Sequence, residues 1–305
     1  MLEVTLVGCG ATMPLPNRAT AVAAVKYKGQ IALLDCGEGT QAAARRAGVS
    51  LVKIRAICLT HYHGDHVLGL PGLLSTMGNM GRTEPVLLMG PAEGYDEMIS
   101  LLLKLAGELP FAVEQRPLDL AGDRQDLWDG LVVTTCALKH RIACNGYRFD
   151  LPRAGRFLPE KAEELCVPRA LWGQLQKHKA VLTPAGEVVQ PEQVLSAPRS
   201  GLSVVYATDT SPCAALPGFA RNTDLLICDA TYACDDYLDR AALYGHSTFP
   251  QCGKLAAQAH AKRLWLTHFG GGLTDPEAEL HYAQDFFPQT EAGFDGKTIR
   301  LNFED

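Results

Sequence analysis

The chain has 305 residues, 47% of them hydrophobic, so it is long enough to bury a full-sized core. Its formal net charge of −6 argues against broad, nonspecific binding of polyanions, and any contact with nucleic acid must come from a local basic surface. The sequence shows no signal-peptide pattern and no apolar run approaching ~18 residues, which predicts a cytoplasmic protein outside the membrane. The ten cysteines include no Cys-x-x-Cys pair and are expected to be free.

Three core strands are predicted at the start of the chain, over residues 2–7, 21–27 and 30–35. An Ala-rich helix follows and ends near Arg46. Asp35 closes the third strand. A carboxylate at this position either orients a metal-binding histidine from behind or serves as a turn residue, and the sequence leaves both roles open.

The densest chemical signal is the loop from His61 to His66, which carries three imidazoles and one carboxylate in six residues. A β-prone run precedes it and an apolar helical pattern follows. Residues two apart in extended backbone point the same way, so His61 and His63 can converge on one cation, while Gly64 allows a turn that aims Asp65 and His66 elsewhere. Such nitrogen and oxygen ligands suit zinc first, then manganese, iron or cobalt. The alternative is a solvated His-rich turn.

Later strands are also predicted to end in polar side chains. The apolar segments are 131–138, 203–210, 225–229 and 264–268, and a helix is predicted after His246 with Ser247 or Thr248 as its cap. One edge of the fold is therefore expected to collect His61, His63, Asp65, His66, His140, Asp209, Asp229, His246 and His268.

Residues 151–200 break this pattern with six prolines and short helical pieces near 160–165 and 169–176. They are predicted to form an inserted arm within a single domain covering residues 1–305. From Lys139 to Lys179, nine basic residues outnumber four acidic ones. Phosphate binding is one interpretation and a solvated charged face is the other. The candidate substrate-binding residues are Arg153, Arg156, Arg169, Lys177 and Lys179.

Together these motifs resemble the metallo-β-lactamase superfamily, and within it the ribonuclease Z branch, zinc endonucleases that trim precursor tRNA at its 3′ end. The resemblance covers nearly the whole chain. The motifs that carry it are residues 35–41, the loop 60–66, His140 with 146–149, Asp209, 245–248 and 266–268. It implies an α/β protein with a four-layer αββα sandwich and a protruding insertion, two zinc ions (manganese or iron possible), and a homodimer.

The resemblance also implies roles for individual residues. One ion would be bound by His61, His63 and His140, the other by Asp65, His66 and His268, with Asp209 bridging both. Two such ions can clamp the attacking and leaving oxygens of a phosphodiester and lower the pKa of a water. Asp65 would orient or deprotonate that water, and His246, held by Asp229, would stabilise charge or protonate the departing 3′ oxygen.

This chain departs from the branch at three places. The branch usually has glutamate in place of Asp229, carries a Gly-Pro doublet at the tip of its arm where this chain has residues 167–173, and follows its last metal histidine with a Ser- and Arg-containing segment. Here His268 is followed by Phe269 and three glycines.

Other functions are less well matched. The nearest alternative is a phosphodiesterase of the same branch that acts on a small or cyclic nucleotide or another phosphodiester. A thioester hydrolase or lactonase needs neither the basic arm nor His246, and a flavodiiron oxidoreductase would need a flavin domain. A non-catalytic metal-stabilised scaffold or RNA-binding module would not need the complete ligand set.

Overall fold

The computed structural model describes residues 1–120 and 122–304. Within it the chain forms two compact units, each described by itself below. The first contains Met1–Asp150 and Ser203–Asn302, and the second contains Leu151–Leu202 with the end of the chain from Phe303. The described strands are β1 (Leu2–Gly8), β2 (Val22–Tyr27), β3 (Gln30–Leu34), β4 (Ile54–Cys58), β5 (Val86–Pro91), β6 (Val113–Leu118), β7 (Arg124–Asp126), β8 (Val132–Ala137), β9 (Asn145–Arg153), β10 (Val181–Leu182), β11 (Val188–Val189), β12 (Arg199–Ala207), β13 (Leu225–Asp229), β14 (Leu264–Thr267), β15 (Thr290–Ala292) and β16 (Thr298–Leu301).

The described helices are short, and none of them is long and apolar enough to cross a lipid bilayer. They are α1 (Thr40–Arg46), α2 (Gly64–Val67), α3 (Leu70–Asn79), α4 (Tyr95–Ala106), α5 (Pro159–Glu164), α6 (Arg169–Gln176), α7 (Pro191–Val194), α8 (Ala215–Phe219), α9 (Leu238–Tyr244), α10 (Phe249–Gln258) and α11 (His281–Gln284).

Two mixed sheets of seven strands form the frame, in the orders β16-β1-β2-β3-β4-β5-β6 and β15-β14-β13-β12-β9-β8-β7. In the first sheet β3, β4 and β5 are parallel, and Leu34 pairs with Cys58. In the second sheet β12, β13 and β14 are parallel, and Cys228 pairs with both Ala207 and Leu266. Because these registers align the carboxyl ends of neighbouring strands, the residues that follow them meet at one edge of each sheet.

Helices cover the outer face of each sheet. In α3 the buried residues Leu70, Leu73, Leu74 and Met77 follow the i, i+3, i+4, i+7 spacing of one helix face. That face packs with residues of β1 to β5. Burial of each leucine side chain stabilises the folded state by about 1.5–3 kcal/mol relative to an exposed side chain. On the other side α8, α10 and α11 pack against β12, β13 and β14. The first unit is therefore layered helix, sheet, sheet, helix.

The inner faces of the two sheets meet through polar as well as apolar contacts. The Tyr147 hydroxyl from β9 donates to the Leu59 carbonyl beyond β4 at 2.7 Å, and the Tyr206 hydroxyl from β12 donates to Asp35 Oδ2 at 3.4 Å. Both tyrosines are fully buried. A buried hydroxyl needs a partner, so these bonds fix the two sheets against each other next to the loop 60–66.

The start of α10 is set by Thr248 rather than Ser247. The Thr248 side chain accepts from the Gln251 amide while the Gln251 side chain accepts from the Thr248 amide, which is a capping box. Ser247 instead donates its hydroxyl to the Thr210 carbonyl. This arrangement holds His246 immediately before a rigid helix start.

The second unit has its own small core. The helices predicted near 160–165 and 169–176 are present as α5 and α6, and α7 and the hairpin β10–β11 accompany them. Their buried side chains form one cluster of Ala162, Val167, Leu175, Val181, Val189 and Val194. The segment therefore has a folded structure of its own.

Candidate metal centre

Three imidazoles converge beyond the end of β4. His61 Nε2 lies 2.9 Å from His63 Nδ1, and His140 Nε2, from the segment after β8, lies 3.2 Å from the same His63 nitrogen. A tetrahedral ion with Zn–N bonds of about 2.05 Å separates its ligand nitrogens by about 3.3 Å. The three nitrogens are therefore spaced as ligands of one cation.

A second group lies beside the first. Asp65 Oδ2 is 3.5 Å from His66 Nε2 and 3.7 Å from His268 Nε2, which follows β14. The Asp65 carboxylate is also held by the Thr12 amide, which donates to Oδ2 at 2.8 Å. The chain thus brings together an oxygen and two nitrogens from two separate segments, the loop 60–66 and the end of β14.

Asp209, just beyond β12, faces both groups. Its Oδ2 lies 3.7 Å from His61 Nε2 and 3.8 Å from His140 Nε2, while its Oδ1 lies 3.2 Å from His66 Nε2 and 3.1 Å from His268 Nε2. The residue is 2% exposed. One buried carboxylate therefore links the two sets of ligand atoms.

Three atoms of this cluster, within the part of the chain that is described, are buried without a hydrogen-bond partner: His66 Nε2, His268 Nε2 and Asp209 Oδ1. They are close to one another but not aligned for hydrogen bonds. Buried polar atoms in folded proteins are nearly always paired, so these three require a partner that is not a protein group. A divalent cation satisfies all of them, and the donor set of imidazole nitrogens and carboxylate oxygens fits such an ion.

In four of the histidines, Nδ1 contacts an oxygen atom outside the cluster. A proton on Nδ1 leaves the lone pair of Nε2 free to face the cluster. These contacts are His61 Nδ1 to Thr60 Oγ1 (2.9 Å), His66 Nδ1 to Asp35 Oδ2 (2.9 Å), His140 Nδ1 to the Gly245 carbonyl (2.9 Å) and His268 Nδ1 to Thr231 Oγ1 (3.1 Å). Thr60 and Thr231 were not predicted from the sequence. The signal for them was a hydroxyl residue at or just after the strand end beside a candidate ligand.

Asp35 lies behind His66, the position that the first of its two interpreted roles requires. It is fully buried, contacts His66, and accepts from the Thr60 amide at 2.7 Å through Oδ1. It therefore connects the end of β3 to both ends of the loop 60–66, which we call the metal-ligand loop.

The electrostatics of the cluster favour cation binding. Burial, followed by the neighbouring imidazoles, lowers the pKa of His61, and burial likewise lowers the pKa values of His63 and His140. Neutral imidazole is the form that coordinates metal. Burial raises the pKa of Asp209, but the charges of His268 and His66 outweigh it and the net pKa is low. Burial lowers the pKa of His66, yet Asp209 and Asp35 raise it overall, so a cation there would take the place of a proton.

Three site residues have left-handed backbone: Asp35 (φ 65°), Asp209 (φ 60°) and His268 (φ 59°). Each directly follows or nearly follows a core strand. Non-glycine residues rarely adopt this conformation, which costs of order 1–3 kcal/mol and concentrates at functional sites.

Two glycines allow two backbone segments of the site to come into direct contact. A Cβ on Gly37 would lie 1.9 Å from the Asp65 carbonyl oxygen, and a Cβ on Gly69 would lie 1.9 Å from the Gly37 carbonyl oxygen. The loop after β3 and the loop after β4 therefore touch through bare backbone, and no side chain fits between them.

His246 and Asp229 form a pair at the border of the cluster. His246 Nδ1 lies 2.7 Å from Asp229 Oδ2, and the carboxylate also accepts from the amides of Thr210 and Thr231 at 3.0 Å each. Burial lowers the pKa of His246, but the charge and hydrogen bond of Asp229 raise it to about 9. The His246 ring centroid is 5.3 Å from that of His140 and 5.2 Å from that of His268. The structure thus brings together all nine residues predicted for the edge.

The five basic residues predicted to bind substrate all belong to the second unit. Arg169 pairs with Glu163 at 3.1 Å and lies over the Trp172 ring, and Arg153 donates to the Glu304 carbonyl. Arg156, Lys177 and Lys179 are exposed. Their role in binding substrate stays a prediction.

A buried His and Asp cluster at the strand ends of two facing sheets defines a member of the metallo-β-lactamase superfamily, and the model of that superfamily matches residues 15–140. The full length is similar to ribonuclease Z of Alkaliphilus oremlandii, 40% identical over 100% of this chain and 99% of the relative, and to ribonuclease Z of Agathobacter rectalis, 38% identical over 100% of both. The chain belongs to the ribonuclease Z family.

The fold is also that of human tRNase Z, short form, with a TM-score of 0.70 at 24% identity over 99% of this chain and 100% of that one. The family resemblance, the αββα fold class and the expectation of a metal-dependent hydrolase are confirmed.

Proposed function

We propose that this protein is an endoribonuclease that processes the 3′ end of precursor tRNA by metal-dependent hydrolysis in the cytoplasm. The observation that carries the proposal is Asp209, whose two oxygens face two adjacent sets of ligand atoms beside the His246–Asp229 pair. Membership of the ribonuclease Z family supports the choice of substrate.

Two divalent cations, zinc by preference, would be held by the cluster. We assign His61, His63 and His140 to one, Asp65, His66 and His268 to the other, and Asp209 to both. Such ions supply Lewis-acid activation of water and neutralise charge on a phosphodiester. The spacing of the nitrogens and the three unpartnered buried atoms support this assignment.

Asp65 is proposed to orient the attacking water and to accept its proton. Its Oδ2 is fixed by the Thr12 amide, and the charge of the carboxylate is maintained because contacts with His268 and His66 lower its pKa although burial raises it. An ionised carboxylate in a fixed position is the requirement for a general base.

His246 is proposed to protonate the departing 3′ oxygen or to stabilise the charge that forms on the phosphate. Asp229 binds Nδ1, so Nε2 is the nitrogen left to face substrate. The Asp229 carboxylate also accepts hydrogen bonds from the amides of Thr210 and Thr231 and from the Thr231 hydroxyl, and these bonds fix its orientation. The shorter aspartate reaches His246 at 2.7 Å, as the usual glutamate would need to do.

The arm formed by the second unit is proposed to bind the RNA backbone. Arg156, Lys177 and Lys179 are exposed on it, whereas Arg169 shares its charge with Glu163. Lys177 and Lys179 lie just after α6, two residues apart, and offer two cations on the same loop. Contacts of this kind bind phosphate without reading sequence.

A homodimer is part of the same proposal. Leu101 and Leu105 on α4 are 54% and 66% exposed, and Leu68 beside the metal-ligand loop is 61% exposed. We assign the association surface to these leucines, because association would remove their apolar side chains from water. Light scattering of the purified protein at micromolar concentration tests this, and a monomer mass would contradict it.

The experiment that tests the function is cleavage of an unprocessed tRNA transcript by metal-reconstituted protein, with the product ends mapped. We expect one cut at the 3′ side of the tRNA that leaves a 3′ hydroxyl. Bis(p-nitrophenyl) phosphate is assayed in parallel. Turnover of the small diester without cleavage of the transcript would instead support the phosphodiesterase alternative.

A further inference from the structure

Aromatic and arginine side chains border the metal-ligand cluster on one side. We call Arg141, Tyr244, Arg240, Tyr232 and Tyr237 the aromatic strip. All five belong to the first unit, and Arg141, Arg240, Tyr237 and Tyr244 are exposed.

One end of the strip is tied directly to the site. Arg141 follows His140 in the chain, and its guanidinium carbon lies 5.6 Å from the centroid of the Tyr244 ring. Tyr244 is two residues before His246, and the His140 Nδ1–H donates to the intervening Gly245 carbonyl at 2.9 Å. Arg141 and Tyr244 are therefore positioned by the same contact that positions His140.

The other end is tied to the backbone next to His246. Tyr232 forms a parallel bridge with Thr248, and the Tyr232 ring stacks on Tyr237 with centroids 5.6 Å apart and planes 21° apart. Burial raises the pKa of Tyr232, and the charge and hydrogen bond of the Arg240 guanidinium oppose that rise. The strip thus continues from the His140 side of the cluster across the surface.

The exposed members of the strip leave side-chain surface in contact with water. Tyr237 is 46% exposed and Tyr244 is 40% exposed, so both leave ring surface in water. Asp235 is bonded to Thr248 and lies near Lys254, but Asp236 and Asp239 are exposed close by and offset the two arginines. Stacking rather than net charge is therefore the interaction that the strip can offer.

We propose that the aromatic strip stacks the base of the nucleotide on the 5′ side of the scissile bond. This rests on the proposed function, in which His246 faces the departing 3′ oxygen, because the nucleotide that carries that oxygen then lies on the strip's side of the site. Every base has a π-face, so an aromatic platform accepts any of them, and arginine adds cation–π contact. The strip is thereby a positioning element for the cut and not a source of sequence preference.

The test uses Tyr237→Ala and Tyr244→Ala on the precursor-tRNA transcript and on two forms of it, one abasic immediately 5′ of the cut and one abasic immediately 3′ of it. Each alanine variant should lower kcat/KM on the intact transcript about 10-fold, the usual worth of one stacked base. Tyr237→Phe and Tyr244→Phe keep the ring and should stay near wild type. Tyr27→Ala is the matched control and should also stay near wild type. Tyr27 pairs with Gln30 at the turn between β2 and β3, whereas the metal-ligand cluster lies beyond the other end of β3.

The abasic substrates locate the contact. On the 5′-abasic transcript the wild type should lose about 10-fold and the alanine variants should lose no more, whereas on the 3′-abasic transcript the variants should keep their full defect. A full defect on the 5′-abasic transcript, or none on the intact one, would overturn the proposal. Metal content and thermal midpoints of each variant are measured alongside to establish that the fold is retained.

Failure of the proposed function is separable from failure of this inference. If the wild type does not cut the transcript, the proposed function is contradicted, and the strip is then judged by the Kd for a labelled single-stranded oligoribonucleotide in fluorescence anisotropy. A Kd that is about 10-fold weaker in Tyr237→Ala and Tyr244→Ala than in the wild type supports the strip. The factor should be similar at low and at high salt, because stacking involves no charge. Unchanged Kd values overturn it.

Discussion

Asp35 and His66, 31 positions apart in the chain, are joined by a 2.9 Å hydrogen bond between Oδ2 and Nδ1. Removing the carboxylate in Asp35→Ala leaves His66 unoriented and the buried Thr60 amide unpaired. We expect metal affinity to fall about 10–100-fold and the free energy of unfolding to fall by about 1–3 kcal/mol. Competition with a chromophoric chelator measures the first and denaturant unfolding the second. Asp126→Asn, an exposed aspartate, is the control, and equal affinity in both variants would argue against the orienting role.

Metal content is the second prediction. Because seven candidate ligand residues form two adjacent groups that share Asp209, reconstituted protein should hold close to two divalent ions per chain. His63→Ala should lose metal and activity together, since His63 Nδ1 faces both His61 and His140. Elemental analysis after dialysis gives the stoichiometry. One ion or none after reconstitution would contradict the assignment.

His246→Ala separates catalysis from coordination. The variant should keep both metals and its substrate affinity while kcat on RNA falls by ~10²–10⁴, the usual worth of general acid catalysis. The loss should be smaller on bis(p-nitrophenyl) phosphate, because p-nitrophenolate leaves without a proton. His260→Ala, an exposed histidine at the end of α10, serves as the control. Loss of one metal would instead make His246 a ligand, and an equal defect on both substrates would favour charge stabilisation.

Replacement of the arm is the fourth prediction. The segment can be removed cleanly, because the Arg156 amide donates to Ser196 Oγ at 2.8 Å and the two ends of the segment are therefore adjacent. A short linker in place of residues 155–195 should leave small-diester turnover nearly unchanged and weaken RNA binding, more strongly at low salt. Lys177→Ala with Lys179→Ala should show a milder form of the same effect. Equal loss on both substrates would mean that the arm supports the first unit.

Gly69→Ala tests the backbone contact between the two loops of the site. The added Cβ overlaps the Gly37 carbonyl oxygen, so one loop must move, and we expect a loss of about 1–3 kcal/mol in unfolding free energy together with weaker metal binding. Gly218→Ala in α8 is the matched control, because no atom lies within 4 Å of its Cβ position, and it should be stabilising by about 0.5–1 kcal/mol. Thermal and denaturant unfolding of the two variants gives the comparison. A neutral Gly69→Ala would show that the loops are free to separate.

The residues of the candidate site were far easier to predict than the edge strands of the two sheets. Candidate ligands such as His61, Asp209 and His268 follow buried apolar strands, so a local pattern indicates both the strand and the polar residue at its end. By contrast β6 reads Val-Glu-Gln-Arg-Pro-Leu and is mostly exposed, and β7 has only three residues. Their pairing with β5 and β8 comes from tertiary contact and leaves no periodic signal.

The hydrogen-bond partners of the candidate ligands were harder to predict than the candidate ligands themselves. Thr60 and Thr231 act through single hydrogen bonds to His61 and His268, and a lone threonine at the end of a strand has many other uses. The hairpin β10–β11 was missed because each of its strands has two residues. The contact between Asp35 and His66 could not be predicted either, because no spacing along the chain gives the distance between them.

The left-handed backbone of Asp35, Asp209 and His268 has a practical consequence for anyone who engineers this protein. Glycine adopts that conformation without penalty, and glycine at position 209 or 268 would also remove a buried polar atom that has no hydrogen-bond partner in the described part of the chain. A selection for thermal resistance alone would therefore favour glycine at these two positions, whereas Asp35 is favoured by its hydrogen bond to the Thr60 amide. The clones with the highest thermal stability in such a library would then lack residues of the candidate active site. Any improvement of the scaffold should therefore be screened for turnover at every round, and the three positions should be held constant.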